Sequence, residues 1–196
     1  MPSRSIHFVR HGQTGWNAEQ RLQGQADTDL NELGRSQAAR NGRRLAELLP
    51  VPPVSDFVSS PLRRTRQTME IMRAAMGLDP DAYRLEPRLM EVHFGDWQGF
   101  TYAELEAARP GTTEARRQDK WHFRPPGVSA ESYEMLTARV KPWLDAVDRP
   151  TVCVTHGGIM RAVFRLLGGW SVTAAADFDV PQDRVLVWDG ERLDWT

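Results

Sequence analysis

The residues able to do chemistry in this chain stand at the ends of three short apolar runs. Arg10, His11 and Gly12 close "IHFVRHG", Ser60 and Arg64 follow "DFVS" in "SSPLRRTR", and His156, Gly157 and Gly158 close "TVCVTHGG". If those three ends are neighbours, two guanidiniums and two imidazoles share one pocket. Guanidiniums present forked donors that match a tetrahedral oxyanion, and glycines let backbone N–H groups approach it closely. Helix N-termini after Ser60 and after His156 would add positive potential. The pocket calls for an anion, phosphate first, with carboxylate or sulfate as other occupants.

A neutral imidazole is a competent nucleophile toward phosphorus, and a cationic surround lowers its proton affinity and keeps one nitrogen free. His11 in the "RHG" turn is expected to donate one ring N–H to a backbone carbonyl and to aim the other nitrogen at the phosphoryl group. Gly12 is expected to let the backbone close around that group. The leaving oxygen needs a proton, and a carboxylic acid is the usual supplier. Glu91 in "RLMEVHFGDWQG" is the candidate, although spacing alone does not prefer it to Asp96. Asn17 reads either as a turn cap or as a further phosphate contact. His7, His93 and His122 read as ordinary satisfied polar residues, and Arg63 and Arg66 as solvated. No HxH or HExxH pattern suggests a metal.

Strands must deliver these groups, and the apolar runs at 6–9, 56–59 and 151–155 read as buried ones. A helix is expected over 32–49, with Ala38, Gly42, Leu45 and Leu49 inward. A second begins with Ser60 as N-cap and Pro61 at its first position, carrying Met69, Met72 and Met76 as core packing. A third covers 130–148, and a fourth follows His156 and stops at Gly168 and Gly169. The tail reads as a hairpin turning at Asp189 and Gly190. Strands alternating with helices predict an α/β fold with a mainly parallel sheet, and in such sheets ligands sit beyond the carboxyl ends of the strands. The irregular stretch 92–128, with Trp97, Trp121, Pro125 and Pro126, is expected to form short helices and loops covering the site.

The 196 residues suit one domain, 1–196. Lys plus Arg number 25 against 26 Asp plus Glu, so no global basic field exists to hold nucleic acid. The one cysteine, Cys153, reads as a buried hydrophobe and rules out an internal disulfide. The leading segment has no long apolar stretch and no window reaches membrane-spanning length, so a cytoplasmic protein is expected. Seven tryptophans are read as core and pocket lining, a homodimer surface being the other use for them.

Six ordered motifs resemble those of the histidine phosphatase superfamily, in its phosphoglycerate mutase-like branch. They are "RHGQTGWN" (10–17), "RLQGQADTDLNELGRSQA" (21–38), "SSPLRRTRQT" (59–68), "EVHFGDWQG" (91–99), "RPPGVSAES" (124–132) and "THGGIMR" (155–161). The resemblance implies a three-layer α/β/α sandwich, a phosphohistidine intermediate, and neither metal nor cofactor. It implies His11 as nucleophile, Arg10, Arg64 and His156 with Gly157 as the phosphate pocket, Asn17 as a further phosphate contact and Glu91 as proton donor. Gln23 and Gly24 match the substrate-side loop. Gln13, Gln98 and Val128 depart from the family pattern, the last within the cover, so no particular substrate is implied.

The expected function is a metal-independent phosphomonoesterase acting on a small phosphorylated metabolite. The short span from Glu91 to His156 and the "HGG" both resemble phosphatases more than mutases. A cofactor-dependent phosphoglycerate mutase would use the same residues, and a catalytically silent phosphoryl-ligand sensor is the reading from another class.

Overall fold

The computed structural model describes residues 4–49 and 55–196; Met1 to Ser3, at the head of the leading segment, lie outside the described residues. Six strands form one sheet in the order β3-β2-β4-β1-β5-β6. They are β1 (Ile6–Arg10), β2 (Asp56–Ser59), β3 (Arg84–Leu85), β4 (Thr151–Thr155), β5 (Val185–Trp188) and β6 (Leu193–Trp195). The pairs β3·β2, β2·β4 and β4·β1 are parallel, while the tail hairpin β5–β6 adds to β1 antiparallel. The chain therefore folds as an α/β protein with a mainly parallel centre.

Side chains alternate across a strand, and here the alternation divides two cores. Ile6, Phe8, Val58, Cys153 and Leu186 face one way, against α6 (Tyr133–Ala146), α7 (Gly157–Leu166) and α8 (Val172–Asp177). Val9, Phe57, Val152, Val154 and Val185 face the other, against α2 (Glu32–Leu48) and α3 (Arg63–Ala75), where Leu45, Met69 and Met72 are fully buried. Strands apolar on both faces belong between two helical layers, which makes the three-layer sandwich. The methionine stripe is core packing, as its spacing suggested, with Met76 partly buried at its end.

The stretch 92–128 holds a 3-10 turn at Gly95–Trp97 and two short helices, α4 (Tyr102–Ala108) and α5 (Glu114–Gln118). Val92, Phe94, Trp97, Leu105 and Trp121 join the core beneath α6 and α7, so this irregular segment is anchored by aromatic burial. Trp97 stacks on Phe123 and Trp121 on Tyr133. Trp97, Trp121, Trp143 and Trp188 are buried, and Trp16, Trp170 and Trp195 are half-buried. No helix among the described residues is long and apolar enough to cross a membrane.

Two helix boundaries move from where spacing placed them. The helix read from 130 starts at Tyr133, because Ser132 caps it by accepting the N–H of Met135. The helix after β2 starts at Arg63, with Leu62 at the cap position making no side-chain bond, and not at Ser60–Pro61. Ser60 is instead drawn into the site described below, and its carbonyl accepts from Thr65 Oγ1.

Helices α2 and α3 touch at Gly42, where an added Cβ would lie 2.4 Å from the Met72 carbonyl oxygen and 2.9 Å from Ala75 Cβ. Alanine is the better helix former by about 1 kcal/mol, but overpacking costs about 1–3 kcal/mol. Gly42→Ala is therefore expected to destabilise the protein despite the gain in helix propensity, a sign that urea unfolding of the two proteins would read directly.

Candidate active site

Strands β1, β2 and β4 lie side by side, so their carboxyl ends bring Arg10, Ser60, Arg64 and His156 together around His11. His11 and His156 meet edge to face with ring centroids 5.2 Å apart. Both rings are buried, as is Arg64, which is 0% exposed. His11 Nδ1–H donates to the carbonyl of Gly12 at 2.8 Å, leaving Nε2 unprotonated, and this nitrogen accepts a hydrogen bond from Arg64 Nε at 3.3 Å. The expected tautomer is thus built into the "RHG" turn.

The Arg64 guanidinium is held by main chain. Its two terminal nitrogens donate to the carbonyls of Ala26 and Gly24, each at 2.7 Å. Arg10 Nη1 bonds to the carbonyl of Val180, while its Nε is buried with no partner. His156 Nε2 lies 2.8 Å from Ser60 Oγ, and its Nδ1 is also buried and unpartnered. With Ser60 donating to Nε2, the ring proton of His156 sits on Nδ1. Orphaned buried donors of this kind are rare and call for an acceptor, so this pocket is built for an anion.

Burial and the charges of Arg64 and Arg10 hold the His11 imidazole well below its ordinary value, and burial with Arg64 does the same to His156. Burial lowers the Arg64 guanidinium to about 10. The pocket is thus neutral at its imidazoles and cationic at its arginines.

Glu91 closes one side. Its Oε2 accepts the N–H of Gly158 at 3.0 Å, in the first turn of α7, and its Oε1 accepts the N–H of Val92 at 2.9 Å. A Cβ on Gly158 would fall 2.1 Å from Oε1, so the second glycine of "HGG" makes room for the carboxylate. The first makes room for cations, since a Cβ on Gly157 would lie 3.3 Å from Arg161 Nη1 and 3.5 Å from Arg10 Nε.

Three backbone N–H groups beside the site are already engaged. Gly12 does not open its backbone to a ligand: its N–H is donated to Thr68 Oγ1 at 3.1 Å, and its missing side chain admits Gly34 of α2, whose oxygen would lie 2.2 Å from a Cβ. The N-terminus of α3 gives no free N–H of Arg63 to the pocket, because Asp27 Oδ1 accepts it at 2.7 Å. At α7 the N–H of Gly158 serves Glu91, as above.

The remaining candidates sit at the rim. Asn17 does cap a turn: its Oδ1 accepts from Thr14 N at 3.1 Å and from Gln182 Nε2 at 3.2 Å. Gln182 also donates to the carbonyl of His11 at 3.0 Å, which ties Asn17 to the backbone of His11. Gly24 contributes its carbonyl to Arg64, whereas buried Gln23 accepts from Thr28 Oγ1 within its own loop. Of the departures, Gln98 accepts the Gln25 N–H at 2.7 Å, Gln13 accepts from Asn31 Nδ2 at 2.9 Å, and Val128 is 97% exposed. His93 accepts from Gly95 N and His122 pairs with Asp119, but His7 Nδ1 is buried without a partner. Sequence reasoning missed Thr68, Gln182, Arg161 and Tyr133, and misread Ser60. Only Ser60 had a local signal, its place beside the strand end.

The profile of the histidine phosphatase superfamily (branch 1) matches residues 6–196. The chain belongs to this superfamily. It is 39% identical over 174 residues to a glucosyl-3-phosphoglycerate phosphatase of Mycobacterium tuberculosis, across 83% of this chain and 74% of that one. A metal-independent phosphoserine phosphatase of Arabidopsis thaliana is 34% identical over 164 residues, 81% of this chain and 66% of its own length. Among solved structures, the mycobacterial glucosyl-3-phosphoglycerate phosphatase in complex with VO3 aligns with a TM-score of 0.77 at 33% identity, covering 99% of this chain and 97% of that one.

As a histidine phosphatase superfamily member with both imidazoles depressed, the folded protein binds fewer protons than the unfolded chain once the pH falls below about 6.5. Stability is therefore expected to rise with pH through the interval between the folded values and about 6.5, and to be lost on acidification across it. Imidazole nitrogen chemical shifts should show His11 neutral and protonated on Nδ1 well below pH 6.5; a His11 that titrates at its ordinary value would contradict the geometry.

Proposed function

We propose that the protein is a phosphomonoesterase that hydrolyses a small phosphorylated metabolite through a phosphohistidine on His11. The observation that carries the reading is the unprotonated Nε2 of His11, its ring oriented by the Gly12 carbonyl, which accepts from Arg64 Nε and stands beside Arg10 and the unpartnered Nδ1 of His156. Nε2 attacks phosphorus as the ester P–O bond breaks, and Glu91 protonates the leaving oxygen. A water then attacks the phosphohistidine, gives its proton to Glu91, and breaks the P–N bond, returning inorganic phosphate and neutral His11. Arg10, Arg64 and His156 stabilise the equatorial oxygens, whose charge is best met in the transition state.

The backbone bonds on both Glu91 oxygens support this double role, because they aim the carboxyl without engaging a cationic side chain. Asn17, Gln23, Gly24 and Gly157 belong to the same phosphate and substrate rim. The chain acts as one domain over 1–196, with 92–128 as the cover under which the leaving group sits. A cytoplasmic setting suits its single buried cysteine, whose thiol burial pushes well up and out of the reactive range. The relatives named for phosphatase activity favour hydrolysis over phosphoryl return.

Phosphate release from p-nitrophenyl phosphate, measured with a chelator present, tests this. His11→Ala is expected to abolish release, and mass spectrometry of the acid-labile adduct should find the phosphoryl group on His11 of the wild type. Near-normal turnover of His11→Ala would overturn the mechanism, and conversion of 3-phosphoglycerate to 2-phosphoglycerate without free phosphate would make the protein a mutase.

Arg64→Ala is expected to lower kcat by roughly 10²–10³, the cost of a lost oxyanion donor. Glu91→Gln should lower it by roughly 10²–10⁴ through loss of proton transfer. The Glu91→Gln loss should be smaller for p-nitrophenyl phosphate, whose leaving group needs little protonation, than for an alkyl ester.

A further inference from the structure

Between α8 and β5 the chain passes the site at 178–184, and it bonds there to groups of the phosphate pocket although no sequence motif marked it. The carbonyl of Val180 accepts from Arg10. Gln182 does more. Its Nε2 lies 3.0 Å from the carbonyl oxygen of His11 and 3.2 Å from Asn17 Oδ1, so both hydrogens of its amide are engaged. Its own backbone is held as well, because the Gln182 carbonyl accepts at 3.1 Å from Nδ2 of Asn41, a buried residue of α2.

The orientation of both amides follows from partners that have only one role. A backbone carbonyl can only accept, so the atom of Gln182 that faces His11 is its nitrogen. A backbone N–H can only donate, so the atom of Asn17 that faces the N–H of Thr14 at 3.1 Å is its oxygen. Thr14 Oγ1 donates to that same oxygen at 3.2 Å. With three donors on Oδ1, the Asn17 amide has a single orientation, and its Nδ2 makes no bond to any described residue. Turning the amide over would set Nδ2 against the N–H groups of Thr14 and Gln182, donor against donor.

We propose that Gln182 is a positioning residue for the reaction: it locks the Asn17 amide with Nδ2 toward the phosphoryl group and fixes that donor relative to His11. The proposal rests on the phosphomonoesterase reading, in which Asn17 is a phosphate contact, and adds to it a residue that touches neither phosphate nor leaving group. The terminal torsion of an asparagine is broad and two-fold, so its amide needs an outside partner to choose a face. An amide turned the other way would present its oxygen to an anion and repel it. Thr14 holds Asn17 within its own turn, whereas among the described residues only Gln182 bonds to both Asn17 and His11. A donor fixed before the substrate arrives needs no reorganisation when charge develops on the phosphoryl oxygens.

The experiment is a double-mutant cycle over Gln182→Met and Asn17→Ala, read by kcat/KM for p-nitrophenyl phosphate and by the inhibition constant of orthovanadate. Methionine keeps the length and approximate bulk of glutamine but has no N–H to donate. Gln182→Met is expected to lower kcat/KM by roughly tenfold and to weaken vanadate inhibition by a similar factor, as for an oriented hydrogen bond lost from a buried site. In the Asn17→Ala background the same substitution should change either quantity by less than about threefold, because the amide it orients is gone. Gln182→Glu, again of similar shape and without a donor when ionised, should behave as Gln182→Met does. The inhibition constant does not depend on the fraction of active enzyme, so a partly misfolded variant still reports.

Activity and vanadate inhibition like those of the wild type in both Gln182 variants would overturn the assignment. Losses that multiply in full in the double variant would overturn it too, since a merely structural residue acts alike whether or not Asn17 is present. No release from any ester by the wild type would bring down the phosphatase reading. Calorimetric binding of inorganic phosphate would then decide on Gln182 separately: weaker binding to Gln182→Met than to the wild type supports its role in holding Asn17, and equal binding removes it.

Discussion

The constraint on which this structure depends is positive charge kept out of water. Arg10, Arg64, His11 and His156 are brought together with little or no exposure, and burying charge without a partner is among the least favourable things a fold can do. The protein manages the cost in two ways. The imidazoles stay neutral, and the guanidiniums are held by main-chain carbonyls at Gly24, Ala26 and Val180. Neither device cancels the charge. An anion entering the pocket meets cations that have already been desolvated, where electrostatic attraction is strongest.

The glycines around the site serve this constraint by close approach. Gly12 and Gly34 let β1 and α2 touch, which seats the "RHG" turn against Thr68 of α3. Gly157 and Gly158 leave space for Arg10, Arg161 and the Glu91 carboxyl on the first turn of α7. Any Cβ there would push the acid or the cations out of position. Gly24 is a different case: its φ of +53° lies in the left-handed region, and Gln98 fills the place where a side chain would go.

Sheet and cover are joined through the same groups. Gln25, next to Gly24, donates its side chain to the Glu91 carbonyl at 2.9 Å and its backbone N–H to Gln98 Oε1 of the 92–128 stretch at 2.7 Å. Arg139 of α6 pairs with Glu131 at 2.9 Å and also bonds the carbonyls of Arg88 and Met90 just before Glu91. Glu91 is thus fixed from the 92–128 stretch, from α6 and from α7 at once, while His11 is fixed at the end of the central strand β1. The candidate site lies where two independently braced parts meet.

The pattern of residues along the chain already determined much of this. Apolar runs of strand length, helical periodicity in 32–49 and after His156, and the polar residues at three strand ends were local signals, because each element's period and each strand's exit are written in adjacent residues. The motifs around His11, Arg64, Glu91 and His156 marked candidates for the same reason. What only the tertiary structure decided is which hydrogen-bonding groups were already taken. The N–H of Gly12 goes to Thr68, that of Arg63 to Asp27 and that of Gly158 to Glu91, and Ser60 is a partner of His156 and no helix cap. No local signal gave Arg116 or Arg161 a role, and only the fold lays both against Tyr133. Such pairings join residues far apart in the chain, and no local period or spacing carries information about a contact that exists only once the layers have packed.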